Sequence, residues 1–271
     1  MNEIIIEAKA GRSGWQLQEL WRYRDLLLLL AKRDVTIRYR QTLLGAAWAL
    51  LQPLATVGIF TLIFGRLAGM PSDGIPYSLF AFAGLLPWLF FSSALNAAGN
   101  SVVNSSNLVT KVYFPRLIIP VSAIGAPLVD LAITMTFMLV MLWYHGMSLT
   151  LQILWLPPLL LLTALTAIGM GTLVAALTVN YRDFRHILPP LTTLWMFMTP
   201  IIYPASLIPE DWRWLLFLNP MSGIVGGIRS AWFGTEFDLL ALGYSTSIAV
   251  LFLIVGISYF RVTERRFADI V

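Results

Sequence analysis

The 271-residue chain contains no cysteine, so it has neither disulfides nor thiolate metal ligands. Its two histidines, His145 and His186, lie too far apart in sequence to suggest a histidine metal cluster. Charged residues make up only 12% of the chain, against roughly 25% in a soluble domain. With 58% hydrophobic residues there is too little charge to clothe a water-facing surface, and the composition is that of an integral membrane protein. No G-x-x-x-x-G-K-[ST] occurs, so the chain carries no P-loop of its own. Gly169-Met170-Gly171 lacks the third glycine of a dinucleotide fingerprint and sits inside an apolar run, where it reads as a small-residue packing site. Clustered acids or histidines at a bilayer face are also missing, which argues against a membrane-embedded glycosyltransferase or acyltransferase. An ion-coupled transporter would need more intramembrane ionisable groups than this chain offers. Nothing points to nucleic acid.

What the chain does have is apolar length. A membrane span needs about 20 mostly apolar residues, because a helix rises about 1.5 Å per residue across a core of about 30 Å. Six segments qualify: 45–64, 77–97, 117–144, 151–179, 187–203 and 239–260. The fifth is the shortest and ends near Pro200 and Pro204. The N-terminal stretch, with Glu3 and Glu7 around a brief apolar run, does not read as a cleavable signal. If the N-terminus is cytoplasmic, fifteen of the eighteen Lys and Arg residues fall inside, and only Arg66, Arg213 and Arg229 fall outside. The positive-inside rule then predicts both termini in the cytoplasm. The fold expected is an all-α integral membrane protein built as one transmembrane domain, 1–271.

Two segments are neither plain loops nor spans. Residues 15–42 carry Leu17, Leu20, Trp21, Leu27, Leu28, Ala31 and Val35 near helical spacing, with six cations among them. This predicts a basic amphipathic helix lying at the cytoplasmic interface. Residues 204–234 are moderately apolar, but Pro209, Pro220, Gly223, Gly226 and Gly227 are expected to break them into short pieces. Pro209, Glu210 and Asp211 suit a helix start, and Asn219-Pro220 suits a stop. The expectation is a periplasmic re-entrant helical hairpin that lines or caps a pathway. Asp130 is the one acid well inside a span; it must face the bundle interior or a wet cavity, and a hydrogen-bonded structural role is preferred over a proton relay. A membrane body with a basic cytoplasmic face and no energy source of its own suggests a permease powered by a separate subunit.

Five stretches then carry a family resemblance. They are "RDVTIRYRQTLLGAAWALLQP" (33–53), "FAGLLPWLFFSSAL" (82–95), "NLVTKVYFPRLIIP" (107–120), "NYRDFRHILP" (180–189) and "TPIIYP…IPEDWRWLLFLNPM" (199–221). In order and in register with the spans, they resemble the type-2 ABC exporter permeases for polysaccharides, which export O-antigen, capsule or teichoic acid chains. The resemblance implies a homodimer in the bacterial inner membrane, bound to two copies of an ABC ATPase subunit. That partner would use ATP and Mg; no cofactor is implied on this chain, which is then a permease rather than an enzyme. The substrate would be a polysaccharide, lipid-linked as in O-antigen; the alternative in the same fold is a small molecule or another lipid. The resemblance also implies a channel flanked by the first and fifth spans. Sugar-contacting candidates are Trp48, Phe60, Trp88, Trp195 and Tyr203, since apolar sugar faces stack on rings. The ATPase-coupling helix would fall at about 104–116. Asn107, Lys111 and Arg116 would contact the partner there, and Tyr113 and Phe114 would plug an apolar cleft, braced by Arg182, Asp183 and Arg185.

Overall fold

The computed structural model describes residues 21–40, 47–264 and 267. Every regular element among them is helical. Helix α1 spans Arg24–Arg40; α2, Ala47–Phe60, runs on as a π-helical turn, Thr61–Leu67. The long α3 is Tyr77–Asn104, followed by the short α4, Ser106–Lys111, and α5, Ile118–Ser122. Next come α6, Gly125–Tyr144, a 3-10 turn Leu151–Trp155, and α7, Leu156–Asn180. Helix α8 is Phe184–Met198; two 3-10 turns and the four-residue α9, Trp214–Phe217, lead to α10, Pro220–Phe233, and α11, Leu239–Glu264.

Five helical segments are long and apolar enough to cross a membrane: Ala47–Leu67, Tyr77–Asn104, Ile118–Tyr144, Leu151–Asn180 and Leu239–Glu264. Their positions follow the apolar runs at 45–64, 77–97, 117–144, 151–179 and 239–260, with residues 45 and 46 outside the described set. The expected span at 187–203 is a 15-residue helix, α8, reaching about 22 Å at the helical rise. It stops at Thr199-Pro200, because proline disfavours a helical residue before it.

Helix α3 is the hub. It is buried along most of its length and packs on α2, α6, α7, α8 and α10. In a bilayer, helices gain little from excluding lipid tails, so close fit between small residues matters. The α7–α11 contact shows this. A Cβ on Gly169 would lie 2.6 Å from the backbone of Leu253, and one on Gly256 would collide with the Gly169 carbonyl. The Gly-Met-Gly stretch is therefore a helix-crossing point, as its composition suggested.

Two clusters of buried side chains fill the bundle. One gathers Leu79, Leu142, Leu156, Ile201 and Trp232. The other gathers Leu30 of α1, Val102, Val109, Phe114, Val179, Phe260 and Phe267. Helix α1, the loops after α3 and α7, and the end of α11 thus share one end.

Of the amphipathic segment at 15–42, residues 15–20 and 41–42 lie outside the described set. Within α1, Leu30 is buried, and the helix packs on α5 and α6, with Ala31 against Gly125. Leu28, Leu29 and Ile37 point away from the bundle. In the 204–234 segment the first half is fragmented as expected, into 3-10 turns at Ala205–Leu207 and Glu210–Trp212 and α9. The second half is not. Helix α10 runs unbroken through Gly223, Gly226 and Gly227. Gly223 does not break it; a Cβ there would lie 2.5 Å from Ser245 Oγ, so its lack of a side chain lets α10 press against α11.

Candidate functional site

A cavity of about 430 Å³ opens between α1, α2, α3, α6 and α8. Its lining mixes apolar residues, among them Pro53, Leu86, Phe90 and Leu131, with a set of polar side chains unusual in so apolar a chain. Helix α2 contributes Trp48 and Gln52, α3 contributes Ser92, Ser93 and Asn96, α6 contributes Thr134, and α8 contributes Thr192 and Thr193. The small hydroxyls donate back to their own helices: Thr192 and Thr193 to the Pro189 carbonyl, at 2.9 and 3.0 Å, and Thr134 to the Leu131 carbonyl, at 2.9 Å. Such back-bonding satisfies the hydroxyl proton and leaves oxygen lone pairs toward the cavity.

Asp130 sits in the wall of this cavity, and its partners come from α1. Arg38 Nη2 lies 2.6 Å from Asp130 Oδ2, and the Tyr39 hydroxyl donates to Oδ1. Burial, and then the bond to Asp130, push the Tyr39 phenol up to about 12, so it remains a donor at physiological pH. The sequence offered no second charge within the spans to meet Asp130. The structure brings one in sideways, from the helix packed beside α6. Asp130 is thus held by an ion pair and a hydrogen bond, which offsets the cost of placing a carboxylate in a span.

The five aromatic candidates separate. Trp48 is exposed and lines the polar cavity. Trp195 and Tyr203 line a second, apolar cavity, also about 430 Å³, together with Trp212 and Phe252. Trp195 donates its indole N–H to Asn219 Oδ1 at 3.1 Å, and Tyr203 donates to the Phe197 carbonyl at 3.2 Å. Phe60 and Trp88 are buried and line neither cavity: Phe60 packs edge-on against Phe64, and Trp88 against Phe91 and Trp195.

The loop after α3 contains the expected short helix, α4, which ends at Lys111, before Pro115. Asn107, Lys111 and Tyr113 point outward, and Tyr113 is 89% exposed. Phe114 and Arg116 face the other way. The Phe114 ring is only 6% exposed; it packs inward, in the cluster with Val109, Leu117 and Phe260, rather than presenting a plug. Arg116 donates to the Glu264 carbonyl at the end of α11. Both side chains fasten the loop to its own bundle. Arg182 and Asp183, in the turn from α7 to α8, and Arg185, in the first turn of α8, are exposed at the same end.

Arg229 has a role that sequence reasoning did not assign. Counted among the cations that fall outside, within the segment 204–234, it is buried in α10. Its guanidinium donates to the carbonyls of Pro200 at 2.6 Å, Ile201 at 2.5 Å and Phe80 at 3.3 Å, and lies over the Phe80 ring, 3.6 Å from its centre. Gly84 makes the room, since a Cβ there would meet the guanidinium at 2.5 Å. Close by, Asn219 caps α10 by accepting from the Met221 N–H at 3.0 Å and donates to Thr199 Oγ1 at 2.9 Å. Arg229 and Asn219 together staple the irregular stretch after α8 to α10 and α3.

A helical bundle around a polar cavity, with an exposed loop helix at one end, is the arrangement of a transport permease. The chain belongs to the ABC-2 type transporter family, whose model matches residues 25–233, and it is a multi-pass membrane protein. It is 29% identical to the O-antigen export system permease protein RfbA of Myxococcus xanthus, over 93% of this chain and 98% of that protein. It is 28% identical to the RfbA of Klebsiella pneumoniae, over 91% of this chain and 95% of that protein. It is 26% identical to the polysialic acid transport protein KpsM of Escherichia coli, over 94% and 97% respectively.

Proposed function

We propose that the chain is the membrane-channel subunit of an ATP-driven exporter that moves a lipid-linked polysaccharide out of the cytoplasm of a bacterium. The polar cavity between α1, α2, α3, α6 and α8 carries this reading. Its hydroxyl and amide lining, with the indole of Trp48 on one wall, suits a sugar: ring faces stack on an aromatic while hydroxyls exchange hydrogen bonds with the wall. The likeness to O-antigen and capsule export permeases over nearly the whole chain supports the same substrate class.

In this reading the chain sits in the inner membrane as a homodimer, with two ATPase subunits at the end holding α1 and the α4 loop. Helix α8 with the irregular stretch to Tyr203 completes a sixth crossing, and both termini are cytoplasmic. The outward apolar residues of α1 rest at the membrane interface. The segment 204–234 dips back from the periplasmic side. Asn107, Lys111 and Tyr113 face the ATPase. Because Phe114 and Arg116 tie their loop to the bundle core and to α11, a push on α4 reaches the spans directly. The test is a cavity-filling change. Thr193→Trp should leave the protein folded and bound to its ATPase but abolish polysaccharide export; normal export by that variant would exclude the cavity from the path.

A further inference from the structure

Charge is scarce along the spans, and where it falls limits what can pass. Tyr77–Asn104 and Leu151–Asn180 contain no Asp, Glu, Lys or Arg. Ala47–Leu67 has only Arg66, next to its last residue, and Leu239–Glu264 has only Arg261 and Glu264, in its last turn. Helix α8 has Arg185 at its start and none of these residues thereafter. The two charges at depth are both engaged. Asp130 is paired with Arg38, and Arg229 spends its donors on three carbonyls and its face on Phe80. The polar cavity accordingly has one cation and one anion in its lining, 2.6 Å apart; its other polar side chains are hydroxyls, amides and an indole.

Whichever faces of these helices close around a polymer, most of the wall is uncharged. A polyanion drawn through such a path would leave water with only Arg38, already paired with Asp130, to meet it. Burying an unpaired carboxylate or phosphate in a low-dielectric path is strongly unfavourable. Pores that pass anions supply rings of Arg or Lys for that reason. Neutral sugars meet no such barrier, because their hydroxyls can exchange water for Gln52, Ser93, Asn96 or Thr193. We infer that the exported polysaccharide has an electrically neutral repeating unit, without uronic acid, sialic acid or phosphodiester groups. This rests on the exporter reading above.

The experiment deletes or depletes the gene in the cell that encodes it. Surface polysaccharides, released from their lipid by mild acid, are compared with those of the parent on an anion-exchange column at neutral pH. The expected result is the loss of one polymer that passes the column unretained and contains only neutral sugars. Loss of a retained polymer, with an acidic group in each repeat, overturns the inference while leaving the exporter reading standing. If no surface polymer is lost, the exporter reading falls, and the inference with it.

Discussion

Asp130 and Arg229 show two ways of holding a charge among apolar helices. Asp130 is matched by a charge from another element, Arg38 on α1, whose side chain is partly exposed. Screening by solvent keeps such a pair modest, so a double-mutant cycle of Arg38→Gln and Asp130→Asn should give a coupling of about 1 kcal/mol. The coupling should appear as easier proteolysis of α1 in either single variant. Arg229 is matched by carbonyls that no helix ladder satisfies, those of Pro200 and Ile201 beyond the end of α8. Arg229→Met keeps the bulk but orphans these acceptors, and should lower stability by about 3 kcal/mol, read as a fall in thermal midpoint in detergent. A change within the scatter of surface variants would mean that water replaces the guanidinium there.

Among the elements, the loop at 104–116 divides its labour by side-chain direction. Tyr113 and Lys111 face out, while Phe114 and Arg116 face in. The two sets should therefore fail differently. Lys111→Glu with Tyr113→Ala should leave thermal stability unchanged but weaken assembly with the ATPase, measured by co-purification. Phe114→Ala should lower stability by about 3 kcal/mol, as core phenylalanine truncations do. The apolar runs made the long helices legible because burial in lipid depends on composition summed over 20 residues. The direction of Phe114 was not legible, because one residue's facing depends on the cluster of Val109, Leu117 and Phe260 that the fold brings to it. Arg229 was missed for a related reason. The sequence shows a cation between glycines, but not that the chain breaks at Thr199-Pro200 and leaves carbonyls for it to bind. Gly223 and Gly227 read as breaks because an isolated glycine weakens a helix; here the Ala241 backbone and Ser245 press close enough to need Gly223, and Leu159 and Leu242 pack over Gly227.

At the scale of the whole molecule, the described residues form two apolar clusters with a polar-sided opening between helices. The hub α3 is buried by its own chain, while α2 and α11 leave apolar faces outward for lipid or for a second copy. The opening joins α1, the α2 wall and α8, so movement of any of them changes its shape. In the proposed function, ATP hydrolysis on a partner is converted into passage of a glycan through this body. The most direct test is translocation in proteoliposomes holding the chain, its ATPase and a lipid-linked polysaccharide. The glycan should become accessible to a glycosidase on the opposite side only when ATP is hydrolysed. Accessibility that ignores ATP, or that persists without hydrolysis and collapses with the proton gradient, would contradict it.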